Sequence, residues 1–240
     1  MDKFSLYVPN FLPDKELPVL KKDNSVAGCG AALAVRLVGK AAGDVLGRAT
    51  CERASESGFL GGQTAAAVLK IKTGKREVYI CLDEEPEAAL ESAVKKTQPA
   101  VAVAEGYEYV ATASPSYPFD LYDKVQRACE TEGKSYVHIL CPSPAGWQFS
   151  PEDTVKLGFW AVESGAFPLY EVASGHYNIT IKIMKQRDIG EYISAQGRFE
   201  KAGEEQIEKA AETAAKENQK LAENVESDLS YTYETTGPVY

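Results

Sequence analysis

Residues 136–172, YVHILCPSPAGWQFSPEDTVKLGFWAVESGAFPLYEV, decide the fold. The segment 136–140 is a short run rich in β-branched and aromatic residues that halts at Pro142, which predicts a strand. A loop follows, Pro142-Ser143-Pro144-Ala145-Gly146-Trp147. Ser150 then stands as an N-cap, with Pro151 in the first turn and Asp153 three residues after the cap, so a helix with a capping box is expected to start there. Strand, loop and helix in that order form the repeating unit of an α/β protein.

The same alternation runs upstream. After Gly28-Cys29-Gly30 comes AALAVRLVGKAAG, in which Leu33, Leu37 and Val38 share a helical stripe that stops at Gly43. A strand is expected near 45–50, a helix at 63–70, the strand VYICL at 78–82, an Ala-rich helix from Pro86 to about 96, and a short helix from Gln98. A strand at 109–112 and a helix from Pro118 to about 131 complete the series. Together they predict a parallel sheet with helices on both faces. Ligands of such sheets sit at the carboxyl ends of the strands, here the loops at Asp83, Ala113 and Cys141.

Composition narrows the classes. A chain of 240 residues with 44% hydrophobic content can bury a full core, and no apolar run approaches the roughly 20 residues that a bilayer requires. The start, MDKFSLYVPN, lacks the basic and apolar regions of a signal peptide, and five scattered cysteines fit a reducing cytosol better than a disulfide framework. The net charge of −9 disfavours nucleic acid. Most of that excess lies in residues 203–240, which carry a net −6. Three organisational units are expected: an extended arm at 1–24, a domain at 25–200, and an acidic helix and tail at 201–240. The helix has a narrow, mostly alanine stripe through Ile207, Ala211, Ala214, Leu221 and Val225, and it needs the domain or, preferably, a partner to pack on. Tyr231, Tyr233 and Tyr240 suggest that the tail docks.

Four segments resemble one enzyme family in the same order. Val26-Ala27-Gly28-Cys29-Gly30 stands where that family has Cys-Pro-Gly-Cys-Gly. The run YVATASPSYPFDLYDKVQRA, the loop Pro142-Ser143-Pro144-Ala145-Gly146-Trp147 with Phe167-Pro168-Leu169-Tyr170-Glu171, and Gln196-Gly197-Arg198-Phe199 match its later motifs. The chain resembles the β subunit of the 2-oxoacid:ferredoxin oxidoreductases, such as pyruvate:ferredoxin oxidoreductase, in its thiamine-diphosphate-binding fold, here abridged.

The resemblance also shows what has changed. Family members hold thiamine diphosphate through magnesium with a Gly-Asp-Gly loop and an Asn near a strand ending in Asp-Asn-Glu. This chain has no Gly-Asp-Gly, and its strand ends in Asp83-Glu84-Glu85. Asp83 and Glu84 would be the remnant of that site. The segment expected between the two motifs is missing. Family members also bind a four-iron cluster through four cysteines, and four soft thiolates are what such a cluster demands. Here Cys29 and Cys51 match two ligands, Val26 and Ser143 replace the others, and Cys141 is a substitute two residues away. His138 is expected to be a packed histidine, Cys81 and Cys129 small core residues, and Trp147 and Trp160 packing for the loop and its helix.

The implied function is a β-type subunit of a 2-oxoacid:ferredoxin oxidoreductase-like complex that serves structure or assembly, with no catalytic residue and no cofactor of its own. The alternative is a shortened active subunit that oxidatively decarboxylates a pyruvate-like 2-oxoacid. It would use thiamine diphosphate with magnesium and a four-iron cluster, sharing the cofactor with a partner chain. Expected partners are the other subunits and ferredoxin, with neither nucleic acid nor membrane, in the cytoplasm.

Overall fold

The computed structural model describes residues 27–53, 67–84, 90 and 98–225. The strands are β1 (Thr50–Arg53), β2 (Ala67–Thr73), β3 (Arg76–Asp83), β4 (Tyr109–Ala113), β5 (Gly133–Leu140), β6 (Tyr170–Ala173) and β7 (His176–Ile179). The helices are α1 (Gly30–Ala42), α2 (Gln98–Ala104), α3 (Pro118–Glu130), α4 (Pro144–Trp147), α5 (Thr154–Glu163), α6 (Ile189–Ser194) and α7 (Glu204–Asn224). One seven-stranded sheet orders them β1-β2-β3-β5-β4-β6-β7.

The expected α/β class and parallel core are present: β5 lies between β3 and β4 and is parallel to both. Antiparallel strands extend the sheet at each margin. Both margins carry a two-residue hairpin that forms for a local reason. Gly74 (φ 60°) turns β2 into β3, and Ser174 and Gly175 (φ 49° and 85°) turn β6 into β7. Positive φ at these places matches the right-handed twist of the paired strands.

The first hairpin corrects the helix expected at 63–70, because residues 67–70 lie in β2. Pairing of Ala67–Thr73 against β3 overrode the helical preference of the alanines that precede it. The strand expected near 45–50 is also displaced: Gly43–Arg48 is a 3-10 turn, and extended chain begins at Thr50. The helix expected between Pro86 and 96 falls almost wholly outside the described residues, as do the arm at 1–24 and the tyrosine-bearing tail.

Side chains of β3 and β5 point alternately to the two faces. Val78, Ile80, Val137 and Ile139 join Leu69 and Ile71 beneath α1 and α3, which contribute Ala34, Leu37, Val38, Leu121, Val125 and Ala128. The other face carries Cys81, Tyr107, Val110, Tyr136 and Val172 with Ala102 of α2. Each large aliphatic side chain so buried contributes about 1.5–3 kcal/mol. A further cluster holds α5, α6 and α7 together through Trp147, Leu157, Val162, Phe167, Tyr192, Ile193, Ala210 and Ala214. The stripe of α7 is therefore used within the chain, and Asn218 Nδ2 donates to Gly165 O at 2.8 Å. Among the described residues no helix is long and apolar enough to cross a membrane.

A buried cation ties α3 to the sheet. Lys124 is 1% exposed, and its Nζ donates to Asp120 Oδ2 (2.7 Å), Thr112 O (2.8 Å) and Thr180 Oγ1 (2.7 Å). Burial pulls its pKa down, while Asp120 opposes that shift. Next to it, Glu171 accepts from Tyr109, Arg127 and Asn178. Replacing one partner of a buried pair leaves the other charge desolvated. Lys124→Met is expected to destabilise the fold by about 3–5 kcal/mol, measured as a lower urea midpoint with an unchanged slope.

Candidate functional site

The carboxyl ends of β3 and β5 and the start of α1 meet at one end of the sheet. Backbone holds them there: Gly30 N donates to Pro142 O at 3.0 Å, and Cys141 N donates to Asp83 O at 2.8 Å. A side chain on Gly30 would collide with the Pro142 carbonyl, and one on Gly28 with the Pro151 backbone. Thr154 Oγ1 closes the contact by donating to Gly28 O at 2.6 Å. This bond was not legible locally. The expected capping box is replaced by a 3-10 turn, Pro151–Asp153, in which the Ser150 side chain makes no cap hydrogen bond.

The loop after β5 is fixed by Trp147. Its indole is fully buried, Nε1 donates to Glu84 O at 2.6 Å, and the Arg198 guanidinium lies 4.3 Å from the ring centroid. Arg198 is oriented by Gln196 Oε1, and Gly197 N donates to Gln148 O. The loop motif and the Gln196-Gly197-Arg198-Phe199 motif are thus two sides of one contact. Trp147 packs as expected, and so does Trp160, which lies between Lys156 and Arg187.

Of the residues singled out in the sequence, Cys29, Glu84 and Cys141 come to this end. Cys29 caps α1, its sulfur accepting from Ala32 N at 3.5 Å, and its thiol faces Glu84 Oε1 at 3.8 Å. Burial raises the Glu84 pKa above 4.5; the Cys29 contact opposes the shift and Asp83 adds to it. Cys141 is fully buried under α1 and α3, and its Sγ donates to Ile139 O at 3.4 Å. Burial, with Asp83 and Glu84 nearby, pushes that thiol well above its usual value. A cluster ligand must instead be a thiolate.

Cys51 is not beside them. Register sets it opposite Leu69, Leu69 opposite Ile80, and Ile80 opposite Val137. Its backbone is therefore three strands from β5, about 14 Å at ordinary strand spacing, and level with the middle of β5. Cys81 packs on the opposite face of the sheet from Cys141. Ser143 begins α4 and brings no thiol. Among the described residues no three His, Cys, Asp or Glu side chains group as metal ligands. The described donors do not fit a four-thiolate cluster.

Asp83 is also at this end, but its carboxylate is turned into the protein. Oδ2 lies 2.9 Å from His138 Nε2, and His138 Nδ1 lies 2.7 Å from the Tyr136 hydroxyl. All three are fully buried. The packed His138 was expected; the chain through it was not. The signal was the two-residue spacing of Tyr136 and His138, but only the register of β3 on β5 reveals their acidic partner. The described carboxylates therefore present no paired face to a magnesium diphosphate.

Fold and site define an α/β domain with a closed carboxyl end. No family model matches the chain. It is similar to pyruvate synthase subunit PorB of Methanothermobacter thermautotrophicus, 45% identical over 112 residues, 47% of this chain and 39% of that protein. PorB of Methanocaldococcus jannaschii is 41% identical over 48% of this chain and 39% of its own length. Ketoisovalerate oxidoreductase subunit VorB of Pyrococcus abyssi is 34% identical over 50% and 39%. These similarities bear out the resemblance carried by the motifs. The chain spans about two fifths of the length of the curated relatives it matches.

Glu84 gives this end a pH dependence. Folded Glu84 holds its proton more tightly than the unfolded chain does, so its contribution to stability is fullest below 4.5 and falls as pH rises through the elevated folded value. Glu84→Gln removes that decline. The variant's Tm should match the parent's near pH 4 and exceed it at pH 7, as read by circular dichroism melts across pH.

Proposed function

We propose that the chain is a β-type subunit of a 2-oxoacid:ferredoxin oxidoreductase-like complex and serves its structure or assembly without carrying the redox chemistry. The similarity to proteins named pyruvate synthase and ketoisovalerate oxidoreductase subunits supports the place in a complex. One observation carries the non-catalytic role: Cys141, the substitute cluster ligand, is a buried thiol hydrogen-bonded to its own strand. Taking it as a ligand means extracting it from the core beneath α1 and α3 and ionising it against two neighbouring carboxylates.

In this role Cys29 and Glu84 fix the start of α1, and the loop from Pro142 to Trp147 gives the end of the sheet its shape. The remaining subunits are the proposed partners, with ferredoxin served by the complex as a whole. The cytoplasm is the proposed compartment, on the cysteine pattern. Thiamine diphosphate with magnesium and the iron cluster would then reside in other chains, and the particular 2-oxoacid would be chosen there.

Anaerobic purification with co-expressed partner subunits tests this. Stable co-purification is expected, with this chain alone holding iron, acid-labile sulfide and thiamine diphosphate each below roughly a tenth of stoichiometric. Near-stoichiometric iron and thiamine diphosphate, lost in Cys29→Ser or Cys141→Ser, would establish the shortened active subunit instead. A chain that associates with no subunit would end the assembly role.

A further inference from the structure

The resemblance makes Asp83, the last residue of β3, and Glu84 the remnant of a magnesium-diphosphate site, but the Asp83 carboxylate is engaged by His138. Parallel register places Cys81 beside His138 and Asp83 beside Leu140. Side chains alternate along a strand, so Asp83, Cys81, His138 and Tyr136 all leave the sheet on the face opposite α1 and α3. There the Asp83 Oδ2 to His138 Nε2 distance is 2.9 Å, the His138 Nδ1 to Tyr136 hydroxyl distance is 2.7 Å, and the Phe167 ring covers the imidazole at 5.9 Å between centroids.

One imidazole thus faces a carboxylate oxygen at one nitrogen and, at the other, a phenol that burial keeps protonated. Both imidazole nitrogens are thereby engaged, and Asp83 is held through Oδ2.

We infer that the His138 imidazole stands where the resemblance would put a metal, making Asp83–His138–Tyr136 an internal clamp between the two central strands. The carboxylate is held from within through Oδ2, and a cation that takes that oxygen has to displace the imidazole. This deepens the non-catalytic role, because the end of the sheet is completed by the chain's own side chains.

Thermal unfolding of the full chain tests the clamp, with the parent, Asp83→Asn, His138→Gln, the double variant and Tyr136→Phe, each with and without manganese and thiamine diphosphate. The parent's Tm should not move with the additions. Asp83→Asn and His138→Gln should each lose roughly 6–12 °C. The double variant should fall no further than the worse single, since both remove one interaction. A rise in the parent's Tm with manganese that Asp83→Asn abolishes would overturn the clamp, and so would additive losses. If the single variants do not fold, the parent titration and a smaller loss in Tyr136→Phe decide it. A parent that co-purifies with subunits yet gains stability from manganese would sink the clamp alone. An intact clamp in a chain that binds no subunit would sink the assembly role alone.

Discussion

The parallel pairing of β3 with β5 is the constraint on which the rest of this structure depends. It aligns eight residue pairs, from Arg76 with Gly133 to Asp83 with Leu140, so both strands finish together. Two chain segments separated by about fifty residues thereby release their loops at the same level. The α1 start, the Trp147 loop and Glu84 can then touch. A slip of β3 by one residue would turn Asp83 toward α1 and Ile80 to the opposite face.

Much of the central fold was legible because its signals are local. The strands at 78–82, 109–112 and 136–140 and the helices at 30–42, 98–104 and 118–130 announce themselves by short β-branched runs, glycine stops and a proline at the helix start. The margins were less legible. Residues 67–70 look helical by composition and become strand because β3 offers a partner and Gly74 a turn. The β6–β7 hairpin was hidden in a segment noted only for its resemblance, although Ser174-Gly175 is the kind of pair that a tight hairpin uses.

The candidate site was legible as a location and much less so as chemistry. Cys29, Cys51 and Cys141 were expected as remnants of one cluster site; Cys29 and Cys141 come to the same end of the sheet beside Glu84, and Cys51 does not. Proximity did not make them equivalent: Cys29 caps a helix, Glu84 is half-buried beside it, and Cys141 is packed in the core. Cys51 was matched by order in the sequence, and order does not report how many strands intervene. His138 was rightly a packing residue, but the carboxylate that satisfies it lies 55 positions away and no local pattern announces it.

The bond from Thr154 to the Gly28 carbonyl joins residues 126 positions apart. Such a contact costs a long loop closure and contributes nothing until most of the sheet has formed. During synthesis, α1 leaves the ribosome long before the segment that seats its glycine turn exists. The closed end is therefore among the last parts of the domain to become native, and until then a nascent chain carries α1 with its apolar stripe without its proper bed. A chaperone or a neighbouring subunit that meets the growing polypeptide encounters this helix before its bed is complete.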